Sequence, residues 1–180
     1  MKTRPSFEEI GLPKGHAYPE LAYHPPTGSM IVHTRPLKSS LPCRRISLSV
    51  NGKRYRQIAN FPPSISVEDY LLHPKLPLLY LITYSWSMFL GKTPGGDWDA
   101  LYRFNLETGK SETLASKGSL ASPNDYPRVW LNQLLSVSDD GEALYCRAAF
   151  FGVKRYYCIS KLSIADRKIK IIKKLKTPFA

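Results

Sequence analysis

The sequence predicts an all-β protein built from three copies of a four-stranded antiparallel unit. Residues that favour strands are common, with 11 Tyr and an aromatic content of 12%. Short apolar segments alternate with turns rich in Pro, Gly or Asp, and no segment keeps a helical period for more than two turns. The same order of two hairpins then recurs three times along the 180 residues.

The first hairpin of each unit consists of a short apolar strand, a turn and a second apolar strand. These hairpins span Glu20–Thr34, Asp69–Thr83 and Leu134–Ala148. Their turns align, so that the same place is occupied by His24-Pro25, His73-Pro74 and Ser138-Asp139. Repeated structure explains the equivalent His24 and His73 better than metal binding does.

The second hairpin of each unit follows a variable connection. These hairpins span Arg44–Ala59, Ala100–Ala115 and Tyr157–Leu175. In the middle one, apolar and polar residues alternate from Leu101 to Leu106, and Gly109 supplies the geometry of the turn. We therefore expect an N-terminal extension at residues 1–17 and three units within residues 18–180, at about 18–63, 64–118 and 126–176.

A four-stranded antiparallel unit repeated in tandem is typical of a β-propeller. The turn Ser138-Asp139-Asp140-Gly141 and the segment from Leu101 to Lys110 resemble the blades of TolB-like and related WD-repeat-like propellers. The resemblance covers about residues 18 to 176, although the first unit has His-Pro-Pro-Thr-Gly at its turn and the second lacks a Gly there. It implies a fold and brings no catalytic residue with it. An antiparallel sandwich with similar hairpins is the alternative.

Three blades cannot close a ring, because closed propellers use about four to eight. An array of three would leave one apolar face bare on each terminal blade, and exposed patches of that size are rare on soluble monomers. We expect two chains to associate head to tail into a homodimeric six-bladed ring. A chain that is half of a longer protein is the alternative, whereas the initial Met1 and the end just past the third unit favour a whole gene product.

The connections between the second and third strands of each unit are expected to gather at one end and to bind a ligand or partner. These connections run over Arg35–Cys43, Ser85–Asp99 and Ala149–Lys154. The middle one is long and aromatic, so its rings need burial in the fold, in a dimer interface or against a ligand. The residues expected at the site are Trp86, Phe89, Lys92, Asp97, Trp98, Arg35, Lys154 and Arg155.

No motif for catalysis or for a cofactor stands out in the sequence. It has no Gly-x-Ser-x-Gly segment, no Cys placed near a His and no Cys-x-x-Cys spacing among its three cysteines. Cys146 and Cys158 are expected on neighbouring strands as core thiols. His33 would form a site with Asp97 or Asp99 only if the fold brought them together. We therefore expect no catalytic residue, no metal and no cofactor.

The formal net charge of +12 is unevenly distributed. Residues 1–60 carry ten Lys or Arg against three Asp or Glu, residues 61–120 carry five against six, and residues 121–180 carry eleven against five. Such asymmetry indicates an anionic partner, although lysines in the outermost strand, Lys168–Leu175, also prevent edge-to-edge pairing. Basic residues beside aromatic ones, as in Lys154-Arg155-Tyr156-Tyr157, favour contacts with nucleic acid.

These observations predict a non-enzymatic scaffold or binding module for a protein or small ligand, assembled as a homodimer. A basic nucleic-acid-binding protein is the alternative, and a hydrolase or lyase with a site in the propeller channel is the third hypothesis. No apolar run approaches the roughly 20 residues of a membrane helix. The N-terminus lacks the apolar core of a secretory signal, and the odd number of cysteines suggests no disulfide framework. A cytoplasmic protein without a membrane partner is therefore expected.

Overall fold

The computed structural model describes residues 16–36, 44–50, 54–58, 61–89, 93–121 and 126–176. These residues form β-strands joined by turns and irregular connections. These residues contain no helix. The strands are β1 (His16–His24), β2 (Ser29–Pro36), β3 (Arg45–Val50), β4 (Arg54–Gln57), β5 (Ile65–Leu72), β6 (Leu78–Phe89), β7 (Thr93–Asn105), β8 (Ser111–Ser116), β9 (Arg128–Val137), β10 (Ala143–Phe151), β11 (Arg155–Ser163) and β12 (Ile169–Lys174). The prediction of an all-β chain is confirmed for this part of the sequence.

Three antiparallel sheets form from strands that are consecutive in the sequence. The first sheet has the order β1-β2-β3-β4, the second β5-β6-β7-β8 and the third β9-β10-β11-β12. Each strand pairs with the next one along the chain, because antiparallel neighbours need only a short connection. The predicted order of two hairpins is present in each sheet.

Each sheet has two different ends. At the turn end, short connections join the first strand to the second and the third strand to the fourth, and residues 51–53 of the β3–β4 connection lie outside the described residues. At the loop end, a connection joins the second strand to the third, and the chain also passes here from one sheet to the next. The strand order therefore carries the β2–β3, β6–β7 and β10–β11 connections to corresponding ends of the three sheets.

A bulge recurs near the start of the first strand in every sheet. It follows Ala17, Val67 and Leu131. A bulge adds one residue to a strand and changes the direction in which the following side chains point. The equivalent residues directly after the bulge are Glu20, Asp69 and Gln133.

The second sheet lies between the other two and has apolar clusters on both faces. On one face, Leu79 and Leu81 of β6 pack with Ile31 and Ile46 of the first sheet. Alternate residues of a strand point to opposite faces, so the neighbouring residues of β6 belong to a second cluster. This cluster includes Tyr80, Ile82, Leu131, Ala148 and Phe150. Burial on both faces explains the continuous apolar run at the start of β6.

The stretch Ser85–Asp99 is not the loop that the sequence predicts. β6 and β7 continue as paired strands through its described residues, 85–89 and 93–99, and Phe89 pairs with Thr93. β7 extends beyond the last pair that it forms with β8, so Pro94 lies in a part of β7 that pairs with β6 alone among the described strands. The Pro and Gly residues suggested a loop, but pairing with β6 decides the conformation.

Two histidines connect successive sheets at the turn end. His24 Nε2 donates to the carbonyl oxygen of His73 at 2.9 Å, and His73 Nε2 donates to that of Ser138 at 3.0 Å. Both imidazoles are buried. His73 Nδ1 accepts from the backbone N–H groups of Lys75 and Leu76, so this ring is neutral with its proton on Nε2. The equivalent histidines thus have a structural role, in agreement with their interpretation as part of a repeat.

Candidate functional site

The predicted site residues lie near the loop ends of three different sheets. The described ones are Arg35 of β2, Trp86 of β6, Asp97 and Trp98 of β7, and Lys154 and Arg155 at the β10–β11 connection. Lys92 and the side chain of Phe89 lie outside the described residues. In the described part of the chain, no hydrogen bond or ion pair connects any two of these side chains. The strand order therefore brings them to corresponding ends without assembling them into one cluster.

Trp98 is a core residue and not a site residue. Its side chain is 0% exposed and belongs to the cluster between the second and third sheets. The pairing of Trp98 with Tyr84 fixes it within the sheet, where the sequence analysis expected a loop. An indole that solvent does not reach cannot contact a ligand, which corrects the expectation for this residue.

Asp97 and Trp86 make contacts within the protein. Asp97 Oδ2 accepts from Lys117 Nζ and, at 3.1 Å, from Arg128 Nη2, so it joins β7 to β9. Trp86 Nε1 donates to Glu68 Oε1 at 3.1 Å. Both side chains remain partly exposed. Asp97 Oδ2 and Trp86 Nε1 already have partners, whereas Asp97 Oδ1 is buried and has no hydrogen-bond partner within the described residues. Both side chains are therefore weaker candidates for ligand contacts than the exposed Lys154.

A cavity of about 520 Å³ opens at the loop end of the third sheet. Its lining includes Tyr126, Val153, Lys154 and Tyr156. Lys174 Nζ donates to Tyr126 Oη at 3.0 Å and lies 4.4 Å from the centre of the Tyr156 ring. The hydrogen bond to Tyr126 raises the pKa of Lys174, which therefore stays cationic at neutral pH. The volume is within the range of small-molecule sites, roughly 300–1,000 Å³.

A second group of rings and cations lies on the opposite face of the third sheet at the same end. The Phe151 and Trp130 rings are 4.8 Å apart between centres. The Arg155 guanidinium carbon lies 4.7 Å from the centre of Phe151, and that of Arg128 lies 4.9 Å from the centre of Trp130. These are cation–π distances. Since Phe150 of the core and Phe151 are consecutive in β10, their rings point to opposite faces.

A smaller cavity of about 180 Å³ lies at the loop end of the first sheet. It is lined by Glu20, His33, Thr34, Arg35 and Arg44. The buried His33 places Nδ1 at 3.0 Å from Glu20 Oε2 and Nε2 at 2.8 Å from the carbonyl oxygen of Val67. Both nitrogens face oxygen atoms, so both contacts are full hydrogen bonds when the ring carries two protons. The acidic partner of His33 is thus Glu20, and not Asp97 or Asp99 as the sequence analysis considered.

Asp69 of the second sheet occupies the position equivalent to Glu20. Burial raises the pKa of Asp69 above its usual range. The backbone N–H of Leu134, which donates to Asp69 Oδ2 at 2.6 Å, opposes this shift, and so does the nearby His33. The hydrogen bond to Leu134 joins β5 to β9, which gives this carboxylate a role in the contact between sheets.

Replacing Asp69 by asparagine is expected to stabilise the protein at neutral pH. The pKa of Asp69 is higher in the folded protein than its usual value, so ionisation of Asp69 destabilises the folded state above the folded-state pKa. This destabilisation disappears as the pH falls towards the usual pKa. Asparagine keeps an oxygen for Leu134 and removes the charge. We expect the D69N variant to unfold at higher urea concentration than the unsubstituted protein at pH 7, with the difference vanishing at acidic pH.

Asp139 provides a matched control for this prediction. Lys75, at 2.8 Å, holds the pKa of the exposed Asp139 below its usual range, so its contribution to stability is present at neutral pH and lost on acidification. The D139N variant should be less stable than the unsubstituted protein at neutral pH and equal to it at acidic pH. Loss of stability in D69N at neutral pH would show that the partly buried Asp69 carboxylate is favourable in its charged form.

The described residues contain no group of three or more His, Cys, Asp or Glu side chains able to hold a metal ion. Cys146 and Cys158 are buried free thiols on the neighbouring strands β10 and β11, as predicted. Burial raises the pKa of Cys146 to about 12, so this thiol is protonated and unreactive at neutral pH. Over the same residues, the structure has no helix with the length and apolar character needed to cross a membrane.

Sequence reasoning missed Tyr126 of the larger cavity with its partner Lys174, and Glu20 of the smaller cavity as the partner of His33. Tyr126 and Lys174 are 48 residues apart and meet only because β12 is folded back beside β11. Glu20 and His33 face each other because of the register of β1 and β2. The available signal was the repeat itself, since aligning the three units with their bulges would have placed Glu20 and Asp69 at one equivalent position.

Comparison with known proteins adds no assignment to this geometry. No known protein family matches the sequence, and no curated protein matches it. The candidate sites are therefore defined by the arrangement of the side chains alone.

Proposed function

We propose that this protein is a non-enzymatic binding module, which forms a six-bladed propeller-like ring with a second copy of itself and binds a ligand or partner at the loop end. The observation that carries the proposal is the repetition of the contacts between successive sheets. The contact between one sheet and the next occurs twice within the chain in the same form. The same kind of contact could therefore also join sheets of two different chains.

The contacts between sheets repeat at equivalent positions. At the turn end, each of the two histidine contacts reaches the corresponding carbonyl group of the next sheet. Nearer the loop end, His33 donates to the carbonyl oxygen of Val67, and Tyr84 Oη donates to that of Leu131 at 3.0 Å. Val67 and Leu131 are the equivalent residues that precede the bulge. The second sheet therefore contacts the third sheet as the first sheet contacts the second. The opposite face of the third sheet is free to contact a sheet of a second chain in the same way.

The outer faces of the first and third sheets carry apolar residues suited to such a contact. On the first sheet, a small cluster separate from the two larger ones contains Leu21, Tyr23, Met30 and Val32. On the third sheet, the alternation of β10 and β11 places the partly buried Tyr157 and Ile159 on the face away from the second sheet, farther from the loop end than Phe151. Two head-to-tail contacts of this kind between two chains form a closed assembly.

The loop end is the side proposed to bind a ligand, because both cavities open there. Arg35 and Lys154 are exposed cations that line the first-sheet and third-sheet cavities respectively. Two ionisable groups nearby, the buried His33 and the partly buried Asp69, are instead held by hydrogen bonds within the protein. Exposed cations beside aromatic rings support binding of an anionic or planar ligand.

The mass of the protein in solution tests the assembly. Light scattering coupled to size exclusion is expected to give a mass near twice the chain mass of 20.4 kDa. A mass of one chain at every concentration measured would contradict the two-chain ring.

A charged substitution on the outer face of the third sheet should break the assembly. We expect Ile159→Asp to weaken dimerisation roughly a hundredfold or more, because burying an unpaired carboxylate costs several kcal/mol. Val153→Asp is the matched control, since Val153 is fully exposed in the β10–β11 connection, outside the strands of that face, and its substitution should leave the dimer intact. Circular dichroism of both variants would confirm that each is folded. Equal effects of the two substitutions would place the interface elsewhere.

A further inference from the structure

The acidic residues of the third sheet lie at one of its two ends, whereas its cations lie at both. Residues 126–176 hold eleven Lys or Arg and four Asp or Glu. The four acidic residues all lie in the turns at the turn end, and they are Asp139, Asp140, Glu142 and Asp166. The loop end carries cations, which include Arg128, Lys154, Arg155 and Lys174. The loop end therefore presents a positive potential that attracts an anionic ligand.

Within the described residues, the acidic group that forms an ion pair with one of these cations is Asp97. Asp97 pairs with Lys117 and with Arg128, as described above. Lys154 is exposed and forms no ion pair within the described residues. The Lys154-Arg155 connection thus remains available to an anion from outside the protein.

Flat side-chain groups lie on both sides of this connection. On one face of the sheet, Tyr156 lines the larger cavity and makes an edge contact with Tyr126, with ring centres 6.0 Å apart. On the other face, Phe151 supports the guanidinium of Arg155. Aromatic rings and guanidinium planes are the groups on which unpaired bases stack.

We propose that the loop end of the third sheet binds single-stranded nucleic acid, with phosphates at Lys154 and Lys174 and bases against Tyr156 and the guanidinium of Arg155. A duplex keeps its bases stacked inside and would leave the flat groups without partners. An acidic peptide would contact the cations alone. This inference names the ligand of the proposed binding module and rests on the proposed function for the location of the site, but it does not require the dimer.

Fluorescence anisotropy of the full chain tests the proposal. The probe is a fluorescein-labelled oligothymidylate of about 12 nucleotides, long enough to span one site. We expect it to bind more tightly than the same sequence in a duplex, and to lose roughly tenfold in affinity between about 50 and 200 mM salt, as a few phosphate contacts require.

Two variants separate a defined site from general electrostatic attraction. Lys154→Glu is expected to weaken binding roughly tenfold, and Tyr156→Leu at least about fivefold, because it removes a ring on which a base stacks. Lys161→Glu is the matched control. Lys161 is also exposed and also lies over a tyrosine, 5.9 Å from the centre of Tyr145, but it lies farther from the loop end. Its substitution should change the affinity by less than about twofold.

Several results would overturn the site. These are no binding at low salt, a duplex that binds equally well, equal losses for Lys154→Glu and Lys161→Glu, or no effect of Tyr156→Leu. Measuring the mass of the same samples separates this inference from the proposed assembly. A dimer that does not bind the probe would overturn the nucleic-acid site alone, whereas a monomer that binds it with this profile would overturn the ring alone.

Discussion

Replacing Trp98 by alanine is expected to lower the free energy of unfolding by about 3–5 kcal/mol, as truncation of a fully buried large aromatic side chain does. Trp98 is 0% exposed and packs in the cluster between the second and third sheets. Truncation would leave a cavity where two sheets meet, and the sheets on both sides restrict its collapse. Urea denaturation followed by circular dichroism measures the loss. Such a loss is a large part of the roughly 5–15 kcal/mol that stabilises a typical domain.

Two further variants make this prediction specific. Trp98→Phe should cost less than half as much, because it keeps most of the apolar volume and removes an indole N–H that has no hydrogen-bond partner in the described part of the structure. Trp86→Ala removes a partly exposed indole with one hydrogen bond to Glu68, and it should cost only about 1–2 kcal/mol. Equal costs for the Trp98 and Trp86 alanine variants would contradict the core position of Trp98.

Replacing Gly141 by alanine is expected to cost about 2–4 kcal/mol, from backbone strain and steric overlap together. Gly141 has a φ of +76°, and a Cβ atom there would lie 2.9 Å from Tyr80 Oη and 3.2 Å from Leu78 Cδ1. Tyr80 cannot easily move away, because it is fully buried and its hydroxyl donates to the Gly141 carbonyl oxygen at 2.8 Å. The substitution would therefore loosen the contact between the second and third sheets, which urea denaturation would detect.

Gly118 separates the two contributions. Its φ of +80° is similar, but a Cβ atom there would meet nothing within 4 Å. Gly118→Ala should therefore cost only the strain of the left-handed conformation, about 1–2 kcal/mol. In a double-mutant cycle, Gly141→Ala should cost less in a Tyr80→Phe background, since the overlapping hydroxyl is absent. Equal costs for Gly141→Ala and Gly118→Ala would show that the contact with Tyr80 adds nothing.

The polar contacts between sheets also explain why the turn end and the loop end differ. At the turn end, His73, Tyr80 and Arg103 of the second sheet each make a hydrogen bond to the β9–β10 turn of the third sheet, and the acidic residues of that turn take part. These acidic groups are therefore used within the structure. The cations of the loop end have fewer acidic partners, which is the physical basis for placing the ligand there.

Local sequence predicted much of the strand order. The alternation around Leu101–Leu106 and the Gly109 turn specify a hairpin without reference to the rest of the chain, and the structure has β7 and β8 there. The position of Cys146 and Cys158 on neighbouring strands also followed from the order of the hairpins. Local rules were insufficient at Ser85–Asp99, where Pro and Gly residues suggest a loop and pairing with β6 produces a strand.

The sequence by itself determined that this chain is all-β, with the order of its hairpins and the excess of positive charge in its last third. These properties depend on side-chain alternation, turn residues and composition, which act over a few residues. Only the tertiary structure decided that Trp98 is buried, that Glu20 lies beside His33, and that Lys174 reaches Tyr126. Each of these contacts depends on bulges, strand register and the stacking of whole sheets. Such features bring together residues that are distant in the sequence, and no local pattern encodes them.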